Sequence, residues 1–312
     1  MRVLVTGAGG FVGSALAAHL ACEGRVAGQP IAALALLDRQ LASRPGTQCM
    51  EGDLEDPSTL ARIAAFAPDA VFHLAAVPGG AAEADYALGR RVNLEATLAL
   101  FETLAALRKQ VIVVYASTIA VYGAHLPDPV TSSTPLRPAL TYGAHKLACE
   151  ILLADFSRRG LLDGRSLRLP GIVARPRAAG AGLKSAFMSE LLHALAAGEP
   201  FTCPVTRGAT AWWMSAQRCA ENLVHAAGMD VRQADPRRAW PLPVLRASIE
   251  QVLDAASDLF GRRPAVRFEP DEMLEAVFGR YPLLDDAEAR GLGLRCDGDL
   301  QSLLRRALAG TS

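Results

Sequence analysis

The stretch from Met1 to Gly13 constrains this chain more than any other. An apolar run rich in β-branched residues, Val3-Leu4-Val5, breaks into the cluster Gly7, Gly9, Gly10, and an apolar segment with helical spacing follows through Phe11, Val12, Ala15, Leu16 and Leu20. The pattern predicts a strand, a tight turn and a helix. Gly7 permits the turn, Gly10 lets the backbone approach a phosphate without a Cβ in the way, and Gly13 allows the helix to pack against the strand. A helix that begins there presents its free amides to an anion. The spacing Gly7-x-x-Gly10-x-x-Gly13 therefore points to a bound dinucleotide, once the flanking strand and helix are counted with it.

The next apolar run, Ile31 to Leu37, ends in Asp38, at the distance where a carboxylate can accept the ribose hydroxyls of an adenosine. A carboxylate there repels the extra phosphate of NADP, which favours NAD; the neighbouring Arg39 could accept that phosphate and pulls the other way. Cys49 to Leu54 reads as a short strand ending in Asp53, whose carboxylate fits either the adenine amino group or a turn and helix cap. Leu54 would pack on the adenine ring.

Strand and helix signals then alternate. Pro57 opens a helix through Phe66, and Asp69 to Ala76 forms a buried strand in which His73 reads as a hydrogen-bonded core residue. Leu74, Ala75, Ala76 and the loop through Gly79 lie at the carboxyl end of that strand, where they are expected to touch the cofactor and, at Gly79, the substrate. One long helix is predicted from about Glu83 to Leu107, carrying Asn93 among apolar neighbours. Val111 to Ala116 is the next strand, with Ser117 and Thr118 at its end; a proline-rich excursion runs from Pro127 to Pro138. A helix begins at Tyr142, and the strand Ser166 to Pro170 follows it. This alternation predicts an α/β doubly wound parallel sheet over residues 1–175. Residues 176–312 read mainly as a smaller substrate-binding lobe, with some segments returning to the first domain. Helices are expected near Ser185 to Ala197, Ala216 to Gly228 and Ser248 to Phe260, and a closing amphipathic helix from Asp297, with its capping aspartate, to Leu308. Trp212 and Trp213 suit the core, with a pocket wall as the other option.

Composition narrows the partners. Lys and Arg together number 32 and Asp and Glu 32, so no global basic field attracts nucleic acid or an anionic membrane. The six cysteines are scattered, without the spacing of a metal site or a disulfide framework. They read as reduced, mostly buried thiols of a cytoplasmic protein without a metal. No signal peptide and no run of about 18 uninterrupted apolar residues is evident.

Tyr142 and Lys146 are four residues apart at a helix start and share one face. An ammonium and a cationic nicotinamide near a phenol favour the phenolate, making it a usable base. Thr118, delivered from a neighbouring strand end, can hold a substrate hydroxyl against that phenol.

Taken in order, Thr6-Gly7-Ala8-Gly9-Gly10-Phe11-Val12-Gly13, Asp53-Leu54, His73 to Ala76, Asn93, Ser117-Thr118 with Val121-Tyr122-Gly123, Tyr142-x-x-x-Lys146 and Arg168 to Gly171 resemble the extended short-chain dehydrogenase/reductase superfamily. The resemblance implies Thr118 as the catalytic hydroxyl, Tyr142 as general base and Lys146 as the residue that binds the nicotinamide ribose and lowers the tyrosine pKa. It also implies a backbone wall for the nicotinamide from Leu169 to Val173, with Pro170, Ile172 and Val173 in contact. The later segments Ser166 to Arg177, Gly182 to Ser189 and Ala197 to Val205 are similar to one branch, the NAD-dependent D-erythronate dehydrogenases, which oxidise the C2 hydroxyl of a four-carbon sugar acid. The stretch after Arg168 lacks the Asn and Tyr-Gly usual in nucleotide-sugar members. A nucleotide-sugar epimerase or dehydratase with tightly held NAD is the alternative, and a non-catalytic NAD-sensing protein a third reading. A small acid needs a cation for its carboxylate, with Arg175, Arg177, Lys184 and Arg218 as candidates. The resemblance also implies a homodimer built on a helix pair packed across a two-fold axis.

Overall fold

The computed structural model describes residues 1–177, 185–263 and 265–309. Seven parallel strands make the main sheet, in the order Ala239–Pro241, Leu162–Leu169, Val111–Thr118, Ala70–His73, Arg2–Thr6, Ala33–Asp38, Gln48–Glu51. Its central strands are apolar throughout because both faces are covered, which is why they read as continuous runs and not as alternating patterns. On one face the helix Phe11–Glu23 packs through Leu16, Ala17 and Leu20 against Cys219, Ala220 and Leu223 of the helix Ala216–Ala227. The other face is covered by Pro57–Phe66, Ala96–Ala105 and Thr141–Arg158, meeting at Ile63, Phe101 and Leu153.

After Arg2–Thr6 the chain builds two strands to one side, then crosses to the other side at Ala70–His73. The ends of Arg2–Thr6 and Ala70–His73 therefore flank the switch point, where a crevice opens above the carboxyl edge.

The strand Leu162–Leu169 ends at Pro170, which has no N–H to continue a ladder. The following Gly171–Val173 leaves the main sheet and pairs with Thr210–Ser215, which also pairs with Leu245–Ser248. This small sheet and the helices Ala186–Ala197, Ile249–Phe260 and Leu300–Leu308 enclose a second core around Leu191, Trp213, Val252 and Leu303. Trp212 and Trp213 are both buried, and their indole N–H groups donate to the carbonyls of Pro282 and Ala247. They are core residues.

Two expectations need correcting. The helix read from Glu83 to Leu107 is three pieces, Gly79–Ala84, Tyr86–Arg90 and Ala96–Ala105, joined at Asp85 and through a π turn at Arg91–Glu95. Asp85 is extended, and its carboxylate caps the second piece at the Leu88 N–H. The closing helix is capped by Asp299; Asp297 instead accepts from the N–H and hydroxyl of buried Ser215. Among the described residues no helix is long and apolar enough to cross a membrane.

Candidate active site

The cradle above the switch point is a cleft of about 680 Å³ whose lining includes Gly7, Gly10, Asp38, Asp53, Leu54, Leu74, Ala75 and Ala76. Gly7 has φ of 71°, and a Cβ there would lie 2.6 Å from the Ala75 nitrogen, so the turn and the neighbouring strand end can meet only without a side chain. Asp38 accepts from the Gly9 N–H at 2.9 Å and from the Arg39 N–H at 2.7 Å, which fixes its carboxylate at the rim of the cleft. Asp53 accepts from the Glu55 N–H at 3.1 Å, while the cap of the next helix is Asp56. Asn93 sits in the π turn, buried. Its carboxamide oxygen accepts from the Val77 N–H at 2.7 Å and its nitrogen donates to the Val77 carbonyl at 3.0 Å, so it shapes the loop that borders the cleft. His73 is fully buried between the Thr6 and Thr97 hydroxyls, at 2.6 and 2.9 Å, and burial pushes its pKa down to about 3. It is the core histidine that its apolar setting predicted.

Gly79 leads from this cleft to the second half of the site, since a Cβ on it would touch the Cβ of Tyr142 at 3.6 Å. Tyr142 is the second residue of Thr141–Arg158, a helix whose first N–H is held by the Glu83 carboxylate at 2.9 Å. Gly143 lets this helix approach the turn after Thr118: a Cβ there would lie 2.7 Å from the Ala120 carbonyl oxygen. Thr118 closes the strand Val111–Thr118 opposite Leu169, and its hydroxyl accepts from the Ala120 N–H at 3.1 Å. The hydroxyl proton remains available to donate outward.

Lys146 lies one turn further along, buried, donating to the Ala116 carbonyl at 2.8 Å with its ammonium 4.6 Å from the Tyr115 ring centroid and 5.7 Å from that of Tyr142. Burial pushes its pKa down to about 8, partly offset by Cys149 and Glu150. The Tyr142 phenol is pushed up by burial to about 12, and the cation opposing that rise is Arg175. Besides Lys146, whose ammonium is 5.7 Å from the ring centroid, Arg175 from a separate element thus also bears on the phenol.

The model of the NAD dependent epimerase/dehydratase family matches residues 3–233. The chain belongs to that family. It is 38% identical to a D-erythronate dehydrogenase of Cupriavidus necator over 98% of this chain and 97% of that protein, and 32% identical to one of Haemophilus influenzae over 98% of both. A crystal structure described as a nucleoside-diphosphate-sugar epimerase from Agrobacterium tumefaciens superposes with a TM-score of 0.93 at 31% identity, covering 99% of this chain and 94% of that one. The cofactor of the family is NAD, and the glycine turn that excludes side chains, the anion-binding helix start and the rim carboxylate of Asp38 fit it.

Phe11 and Val12 begin the first helix, Val12 against the core and the Phe11 ring beneath Arg175. Ile172 and Val173 are held opposite Met214 and Ser215 where the chain passes between the two sheets. The Ser117 hydroxyl donates to buried Glu150, which also receives a forked pair of bonds from Arg168, at 2.7 Å for the closest. Arg168 reaches on to the Tyr122 hydroxyl at 3.1 Å. This ion pair ties three elements together directly behind Thr118, and its partners were not paired from sequence because they lie on separate elements. Arg218 is placed on the helix against Phe11–Glu23, ion-paired to Glu221, which also binds Arg306. Arg177 is paired with Glu199. Lys184 lies outside the described residues.

Proposed function

We propose that the protein oxidises the C2 hydroxyl of a small sugar acid, D-erythronate first among them, to the 2-oxo acid 2-dehydro-D-erythronate. The observation that carries this reading is the match, over nearly the whole chain, to two D-erythronate dehydrogenases; the close approach of the helix carrying Tyr142 and Lys146 to the turn after Thr118 supports it. Thr118 donates to the substrate oxygen and orients it. Tyr142, as phenolate, takes the hydroxyl proton, while the C2 hydrogen leaves with its electron pair. Bound NAD supplies the acceptor for that hydride and a positive ring that favours the phenolate. Lys146, fixed by the Ala116 carbonyl, holds the nicotinamide ribose and adds a second positive charge beside the phenol. Asp38, Asp53 and Leu54 take the adenosine end; Leu74 to Ala76, and Pro170 to Val173, wall the two halves of the dinucleotide. In this reading residues 1–175 bind the cofactor, and most of the remainder covers the substrate.

The test is a screen of four- to six-carbon aldonic acids and of nucleotide sugars with added NAD, followed by NADH absorbance and product analysis. Accumulation of NADH with D-erythronate supports the proposal. Conversion of a nucleotide sugar without net NADH would replace it by an epimerase or dehydratase cycle.

A further inference from the structure

We infer that Arg175 is the residue that selects an acid over an uncharged alcohol in this site, and that the ring of Phe11 is the platform that aims it. The inference rests on the reaction proposed above and adds which side chain recognises the carboxylate.

A 2-hydroxy acid carries its carboxylate on the carbon that is oxidised. When its hydroxyl meets Tyr142, the carboxylate is a few ångströms away, so the anchoring cation must lie close enough to act on that phenol. Arg175 stands on the elements that frame the site: it follows the strand Gly171–Val173, and its guanidinium carbon lies 5.2 Å from the ring centroid of Phe11 at the start of the dinucleotide helix; its electrostatic effect on the Tyr142 phenol accords with that position. Arg218 and Arg177 are instead engaged by carboxylates of their own, Glu221 and Glu199.

The backbone of Arg175 is fixed from both sides. Its N–H donates to the Ser189 hydroxyl at 2.9 Å, and its carbonyl accepts from the His193 ring N–H at 2.7 Å, both from the helix Ala186–Ala197. From this fixed point the side chain extends over Phe11, with the guanidinium carbon 5.2 Å from the ring centroid. Face contact with an aromatic ring holds a guanidinium while leaving its N–H edge free for an anion. Among the described residues the guanidinium has no carboxylate or hydrogen-bond acceptor, although it is partly buried and desolvation lowers its pKa. A partly desolvated cation without a counter-ion gains from a bidentate carboxylate ligand. Phe11 begins the helix of the dinucleotide turn, so the cation for the acid stands directly on the cofactor loop.

The test uses the full-length enzyme with NAD and compares the parent with Arg175→Met, Arg175→Lys and Phe11→Leu. D-erythronate, its neutral amide and NAD are the ligands. Arg175→Met should raise the KM of the acid by about ten- to a hundredfold, the usual range for a lost charge-assisted contact, and leave the amide's KM and the NAD dissociation constant within about twofold. Arg175→Lys should recover part of the loss, because it keeps the charge without the fork. Phe11→Leu keeps the backbone amide at the phosphate and should raise the acid's KM severalfold alone. With the amide as substrate, Arg175→Met should also move the rising limb of kcat/KM to higher pH, because the guanidinium no longer favours the phenolate. An acid KM within about twofold of the parent would overturn the inference. So would an increase in the NAD dissociation constant matching the increase in acid KM, which would give the guanidinium to the cofactor phosphates. A parent that forms no NADH from D-erythronate overturns the proposed reaction instead. In that case quenching of NADH fluorescence by 2-hydroxy and 2-oxo acids still reads Arg175, since Arg175→Met should abolish it and an unchanged titration would contradict its role.

Discussion

At the residue scale the site depends on charges held in poorly hydrated surroundings. Tyr142→Phe should bring turnover below about a hundredth of the parent rate, the usual loss for a general base, while NAD affinity stays nearly unchanged. Steady-state kinetics and a cofactor titration check the two halves separately. Lys146→Ala should lose both rate and cofactor affinity, because in the proposed mechanism the same ammonium, fixed at 2.8 Å from the Ala116 carbonyl, serves both. Asp38→Asn removes the negative charge at the cleft rim and should reduce the preference for NAD over NADP in kcat/KM by about tenfold or more, equivalent to about 1.4 kcal/mol. An unchanged preference would move the selectivity to Arg39. Helix spacing pairs Lys146 with the tyrosine, one turn away, but carries no sign that Arg175, on another element, also bears on it.

At the element scale, what places Tyr142 is how closely its helix approaches the Thr118 turn. Gly143→Ala puts a Cβ 2.7 Å from the Ala120 oxygen and has to push the two apart. A displacement near 1 Å costs up to about 10²-fold in rate, so kcat should fall by at least about tenfold while the thermal midpoint falls modestly; unchanged kcat would show that the approach is not needed. The residue stands inside the Tyr-x-x-x-Lys pattern, yet its spacing carries no sign of this role, because only the packed neighbour creates the constraint. The strands were legible for the opposite reason. Val3 to Val5, Val71 to His73 and Val111 to Ala116 are buried on both faces, and such burial writes itself as uninterrupted apolar runs. The helix after Gly79 was misread because apolar spacing continues across the extended Asp85 and the π turn at Asn93. Asp297 was taken as a cap although its carboxylate is used 82 residues away, at Ser215.

At the scale of the whole molecule, one buried histidine couples stability to pH. His73 has its pKa lowered by burial to about 3, against an ordinary value of 6.5 in the unfolded chain. The unfolded state therefore binds the proton first as pH falls. The stabilising contribution is complete above about 6.5 and is lost progressively towards 3, with a slope of at most about 1.4 kcal/mol per pH unit. Urea denaturation between pH 6.5 and 5 should show this loss, and His73→Gln should flatten it; an equal slope in the variant would assign the loss elsewhere. The cradle at the switch point of the sheet adjoins the start of the Tyr142 helix through Gly79, and in the proposed reaction the two act in one net oxidation. D-erythronate carrying deuterium at C2 tests it most directly. With NAD in excess, the deuterium should appear on the nicotinamide ring of NADH in step with the formation of 2-oxo acid, and Tyr142→Phe should stop both. Deuterium that remains in or returns to the substrate, without net NADH, would contradict the account.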